Sequence, residues 1–190
     1  MTTLEDAWAW YRAVAAGANR LERLSKYWDS PPWGGDDWAR QLERDTLFRG
    51  LDASQLRDGA ETIKSELDDL AVLVLFSVFE ARIRELVESQ VQPEVDRLQH
   101  PALRLAGEEV IQAVTEGSFY RVLEPFKSPA THGLIEQVNQ VRRYRNWVAH
   151  GRRHDKSPEV LVTPQEAFGR LKALLDVITS TLSTSTTEIV

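Results

Sequence analysis

At 190 residues, with 42% hydrophobic and 27% charged side chains, the chain has the composition of a globular protein long enough to bury a core. Its formal charge of -6 excludes unselective binding of nucleic acid or anionic membrane over the whole surface. The absence of cysteine excludes disulfides, thiolate nucleophiles and thiolate zinc sites, and fits a reducing, cytoplasmic setting.

In chain order the sequence predicts helix almost throughout, with no run of strand alternation and no internal repeat. MTTLEDAWAWYR carries early acids and no apolar secretory core, so it predicts no signal peptide but a helix capped by Thr3, with Glu5 and Asp6 in its first turn, reaching about Tyr27. WDSPPWGGDD (28–37) is a Pro/Gly loop, 37–48 a short helix, and GLDASQ a further break. Trp8, Trp10, Trp28, Trp33 and Trp38 read as cover for a core or an interface, since no basic residues interleave with them as a base-stacking groove requires. A long helix follows, from Ser54 or Ala60 to about Val91, ended by Pro93. Its middle, DDLAVLVLFSVFEARIREL, is apolar nearly all round and predicts a central position in a bundle. The apolar run at 70–79 is too short to span a bilayer, so no membrane association is expected. GEEVIQAVTEG predicts a shorter helix capped by Gly117, and FYRVLEPFKSPATHG is irregular or briefly helical. Residues 132–150 form the next helix, with Gly151 as its left-handed cap. DKSPEVLVTP is a loop, Pro164 opens a last helix over 165–182, and the polar end frays.

VRRYRNWVAHGRR (141–153) holds five arginines and His150. From 142 to 156 there are six Lys/Arg against one acid, a local +5 that leaves -11 for the rest of the chain. Leu134, Val138, Val141, Arg145 and Val148 fall on one helical face and predict the core seam, with Arg145 its odd member. A guanidinium there must pair, snorkel or line a cleft. Arg142, Asn146 and His150 form a second stripe at i, i+4, i+8. Arg145 and His150 are five residues apart, about 140° around an ideal helix, so sharing a site requires local distortion or two copies of the chain.

Arg145-Asn146-Trp147-Val148-Ala149-His150-Gly151 resembles the R-x4–6-H signature of HEPN domains of the ribonuclease type, with a RiboL-PSP-like branch as one candidate. VLFSVFEARIREL (74–86), in which the acid Glu80 follows an apolar run, resembles the core helix of the same superfamily. The resemblance covers about 60–182. It implies an all-α fold, a four-helix up-and-down bundle over 56–184, preceded by an N-terminal helical extension over 1–55 and followed by a tail at 185–190.

It also implies a metal- and cofactor-independent endoribonuclease acting as a homodimer, of the kind found in toxin–antitoxin and anti-phage systems, with RNA as ligand and an antitoxin or defence protein as partner. On that reading His150 moves the proton, Arg145 meets charge developing on phosphorus, Asn146 orients the imidazole or the phosphate, and Glu80 positions Arg145. Arg142, Arg143, Arg152 and Arg153 hold the RNA backbone. Plainer readings stand beside each role: His150 as a helix-end cap, Glu80 paired with Arg84 at i+4, and the outer arginines as a solvated face. Some HEPN toxins carry a modifiable Tyr two residues after the His; here that position is Arg152, so that route of regulation is not expected.

The alternative function is a non-catalytic interaction or RNA-binding module on the same fold. A DNA-binding regulator lacks a helix-turn-helix pattern. His132 and His100 read as turn or cap residues, and the adjacent His154 and Asp155 do not make a metal site. No P-loop, dinucleotide fingerprint or H-E-x-x-H occurs.

Overall fold

A computed structural model describes residues 1–28, 44, 45, 48 and 50–187. Among them are six α-helices and no strand: α1 (Leu4–Lys26), α2 (Ala53–Asp96), α3 (Pro101–Thr115), α4 (Phe119–Leu123), α5 (His132–Ala149) and α6 (Pro164–Thr187). Short 3₁₀ turns lie at Glu124–Phe126 and His154–Lys156. The Pro/Gly loop expected after Trp28, most of the short helix expected at 37–48, and both Trp33 and Trp38 lie outside the described residues. No helix among the described residues is long and apolar enough to cross a membrane.

Three helices start on reciprocal caps that satisfy donors the first turn leaves open. At α1, Thr3 Oγ1 accepts from the Asp6 amide at 3.1 Å while the Asp6 carboxylate accepts from the Thr3 amide at 3.2 Å. Asp52 with Gln55 does the same for α2, and Thr163 with Glu166 for α6. Pro101 and Pro164 occupy first helical positions, where a missing N–H costs nothing. His100 caps α3 by accepting the Ala102 amide on Nδ1.

Three boundaries differ from expectation. Pro93 does not end α2, which continues to Asp96. The ring deprives the Ser89 carbonyl of its partner, but so near the end only three further residues feel the break. Gly117 is not a left-handed cap, because Glu116 closes α3 in right-handed geometry and only Gly50 and Gly151 have positive φ among the described glycines. Glycine is needed there for space instead: a Cβ would lie 2.3 Å from the Ala113 carbonyl oxygen. The last helix runs past Leu182 to Thr187.

The chain divides into two compact units, Met1–Trp8 with Asp69–Val190, and Ala9–Asp68. The core of the first gathers Leu4 and Ala7 of α1, Val72, Leu75, Phe76, Phe79 and Ile83 of α2, Phe119 of α4, Ile135, Val138 and Val141 of α5, and Leu171, Leu174 and Ile178 of α6. Each fully buried large side chain of this set stabilises the unit by about 1.5–3 kcal/mol. Phe119 meets Phe76 and Phe79 edge-on, both at 5.7 Å. Trp8 stacks on Phe168 at 5.1 Å, and Glu5 pairs with Lys172 at 2.8 Å, which fastens the start of α1 to α6. α2 is less central than its composition suggests. Its buried face is Ala71, Val72, Leu75, Phe76, Phe79 and Ile83, while Ser77 and Ala81 are exposed and Leu70 is 50% exposed. Gly107 of α3 lets the chain close against the end of α2, since a Cβ there would lie 2.8 Å from Val95.

In the second unit Ala18, Leu56, Ala60 and Leu67 are buried. Tyr11 donates to Asp68 at 2.9 Å, and burial together with that carboxylate pushes the phenol up to about 12. Trp28 donates its indole N–H to the Leu51 carbonyl, a structural use of one of the early tryptophans.

Candidate functional site

The geometry of the basic stretch follows from how α5 ends. Gly151 has φ +79° and its amide bonds the Val148 carbonyl at 3.0 Å, while the Arg152 amide reaches the Trp147 carbonyl at 2.9 Å. These two bonds make a Schellman cap, with His150 as the C-cap residue. Arg152 also takes a positive φ, 54°, which is unusual for a side chain with a Cβ. The chain therefore turns sharply at His150, and residues 153–159 fold back beside the helix they have just left.

The core face of α5 includes the expected seam, with Val138 and Val141 in the core and Leu134 and Val148 packed against it, but is wider than the seam. Ile135, Val138, Asn139, Val141 and Tyr144 are the buried residues, whereas Leu134, Arg145 and Val148 are half-buried. The signal missed was Tyr144, whose ring reads as amphipathic but here packs inward with its hydroxyl satisfied.

One side of the last turns of α5 is tied to carboxylates of α2. Tyr144 donates its hydroxyl to Asp69, and the Arg152 guanidinium pairs with the same carboxylate, which is 8% exposed. Asp69 thus fixes both the helix end and the left-handed residue after it. Arg145 pairs with Glu80 at 3.7 Å, and its guanidinium lies 5.3 Å over the Phe76 ring. Glu80 also receives two hydrogen bonds from Arg84, at 2.7 and 3.2 Å, so both pairings the sequence offered for this carboxylate occur together. Arg84 continues to the carbonyls of Val114 and Gly117 and covers Phe119, binding the end of α3 to α2.

The other side is open. A cleft of about 830 Å³ is lined by Arg143, Asn146, Trp147 and His150 of α5, by Glu136 two turns back, and by Arg153, Ser157, Pro158 and Glu159 of the returning chain. Arg143 forms an ion pair with Glu136 across part of this lining. Trp147 donates its indole N–H to the Arg153 carbonyl at 2.9 Å and has the Tyr144 ring 5.8 Å away, so the indole is held from two sides. His150 is exposed.

Of the residues singled out in the sequence, the fold brings Arg143, Asn146, His150 and Arg153 to the cleft, and brings Arg145 to Glu80. Arg145 is not part of the cleft lining, as its 140° separation from His150 requires. Asn146 joins the two sides: its Oδ1 accepts from Arg145 Nη1 at 3.0 Å while the residue lines the cleft with His150. Arg142 is turned elsewhere, with its guanidinium 5.8 Å from the Tyr120 ring centre and its Nε buried without a hydrogen-bond partner. The cleft stripe therefore runs through Arg143, Asn146, Trp147 and His150, not through Arg142. Arg152 is committed to Asp69. Among the described residues no group of three or more His, Asp or Glu is arranged to hold a metal ion.

No family model matches the chain, and neither the curated proteins nor the solved structures compared with it give a match.

Proposed function

We propose that the chain is a metal-independent endoribonuclease of HEPN type, with α2, α3, α5 and α6 as the four helices of an up-and-down bundle. The observation that carries this reading is the position of Asn146, which bonds Arg145 on one side of α5 and shares the cleft with His150 on the other. The two groups that such a cleavage needs, a proton-transfer imidazole and a phosphate-matching guanidinium, therefore lie on either side of one residue.

Cleavage runs by attack of a ribose 2′-OH on the adjacent phosphorus. The P–O5′ bond breaks as the new P–O2′ bond forms, giving a 2′,3′-cyclic phosphate and a 5′-hydroxyl. His150 of one copy accepts the 2′-OH proton, and the equivalent imidazole of a second copy supplies a proton to the departing 5′ oxygen. Arg145, oriented by Glu80, is the charge that meets the phosphorane oxygens where the two copies meet. A homodimer supplies both imidazoles and resolves the separation of Arg145 from His150 within one chain. Such an enzyme suits a toxin or an anti-phage effector in the cytoplasm, held in check by a partner protein.

A second reading, a non-catalytic RNA-binding or interaction module on the same fold, is favoured by the pairing of Arg143 and Arg152 with acids, which leaves less free positive charge than five arginines suggest. Incubating the purified protein with mixed RNA in EDTA separates the two. The enzyme reading requires cleavage that ends in cyclic phosphate and drops by at least ~100-fold in both His150→Ala and Arg145→Ala. Absence of cleavage, or cleavage indifferent to both changes, leaves only the second reading.

A further inference from the structure

We infer that the cleft beside α5 seats one unpaired nucleobase on the Trp147 indole and prefers bases that carry an amino group. This rests on the reading of the chain as one that engages RNA and names the part of RNA that the cleft takes.

The lining is of mixed sign, and its Glu159 end is acidic, which a phosphate site would not be. Arg143 is already neutralised by Glu136, while Arg153 and Glu159 have no ion-pair partner among the described residues. A polyanionic backbone laid across Glu159 meets like charge. The same carboxylate suits the neutral N–H edge of a base, where an exocyclic amino group donates to it. Arg153 offers a cation along which the backbone can run.

Between these ends lies Trp147. Its N–H is used on the Arg153 carbonyl and its ring is braced by Tyr144, so the indole is pre-positioned and need not be ordered on binding. An indole in such a place stacks any base, and stacking requires that base to be out of a helix. About 830 Å³ is room for a nucleotide, and a base stacked within a duplex does not present its face to the indole. Single strands are therefore selected over duplex by access, and cytosine over uracil by one amino group.

The test uses 2′-deoxy oligonucleotides, which cannot be cleaved by 2′-OH attack, so its result is independent of the enzymatic reading. Fluorescence anisotropy of the full chain is measured with oligo-deoxycytidine, oligo-deoxyuridine and a blunt duplex of equal length. Oligo-deoxycytidine should bind more tightly than oligo-deoxyuridine, and the duplex most weakly. Glu159→Ala should remove the difference between the two single strands. Trp147→Leu should weaken single-strand binding by roughly 5- to 150-fold, whereas Trp147→Phe, which still stacks and keeps the core filled, should retain most of it. Equal binding of the two single strands, or equal binding by Trp147→Phe and Trp147→Leu variants of wild-type melting temperature, overturns the inference. If Trp147→Leu does not fold, the wild-type preference and its loss in Glu159→Ala decide the matter. RNA cleavage that persists while these arms fail sinks the base pocket and leaves the nuclease; base-selective binding without RNA cleavage does the reverse.

Discussion

The two sides of the last turns of α5 carry similar residues to opposite ends. On the α2 side, Tyr144, Arg145 and Arg152 meet the carboxylates of Asp69 and Glu80, contacts that hold the helix. On the cleft side, Arg143, Asn146, Trp147, His150 and Arg153 surround open space. Arginine count says nothing of which side an arginine serves. What separates them is whether a half-buried or buried acid from another helix faces it. Tyr144 and Arg152 on the α2 side should report through stability, whereas Arg145 and the cleft side should report through ligand and chemistry.

Four changes break or sharpen this contrast. The largest effect belongs to the cleft side: His150→Ala should lower RNA cleavage by about 100-fold or more with the melting temperature held. A matching fall in melting temperature would show that the imidazole holds the helix end after all. Next comes the α2 side. Asp69→Ala removes the carboxylate shared by the Tyr144 hydroxyl and the Arg152 guanidinium, and should destabilise the protein by about 2 kcal/mol in urea unfolding. A loss below about 0.5 kcal/mol would place this carboxylate among ordinary surface acids. Gly151→Ala, at φ +79°, should cost about 1 kcal/mol because the left-handed conformation crowds a Cβ. As the cap is shared by both sides, that variant should show a smaller loss of stability than Asp69→Ala together with some loss of cleavage.

The smallest effect is one that neither side owns. Hydrogen bonds from Thr163 hold the Glu166 carboxyl below its ordinary 4.5, and those from Thr3 and Thr2 hold Asp6 below 3.8. Depressed carboxyls of this kind add stability that is full above their ordinary values and is lost as pH falls through the lower, folded ones. The urea midpoint should therefore decline below about pH 4.5, and Thr163→Ala should flatten that decline. An unchanged slope in Thr163→Ala would mean that other carboxylates carry the acid sensitivity.

Local chemistry made much of this legible. Thr3 before two acids, Pro164 at a first turn and Gly151 after a basic helix each name their own conformation, because capping is decided within four residues. The contact of Glu80 with Arg145 was also visible, as one of two alternatives. What the sequence hid lies in long separations. Asp69 reads as half of an Asp-Asp pair at the head of an apolar run, and nothing local announces Tyr144 and Arg152 as its partners 75 and 83 positions away. The same holds for the cleft, whose far wall at Pro158 and Glu159 reads as an ordinary loop until Arg152 turns it back. The incomplete seam has a different origin: apolar periodicity counted Arg145 and passed over Tyr144, one residue earlier, whose buried hydroxyl donates to Asp69.

Gly107 carries a consequence for the order in which these parts assemble. Its contact with Val95 spans only 12 residues, and α3 starts five residues after α2 ends. The clamp of Asp69 on Tyr144 spans 75. Closing the longer loop from an unfolded chain costs about 1.6 kcal/mol more in chain entropy. The α2–α3 hairpin should then gain amide protection first in pulsed hydrogen exchange during refolding, and the last turn of α5 only afterwards. Equal protection times would remove this ordering. On this pathway the turn at Arg152 that closes one end of the cleft is fastened to α2 only when the chain is nearly folded.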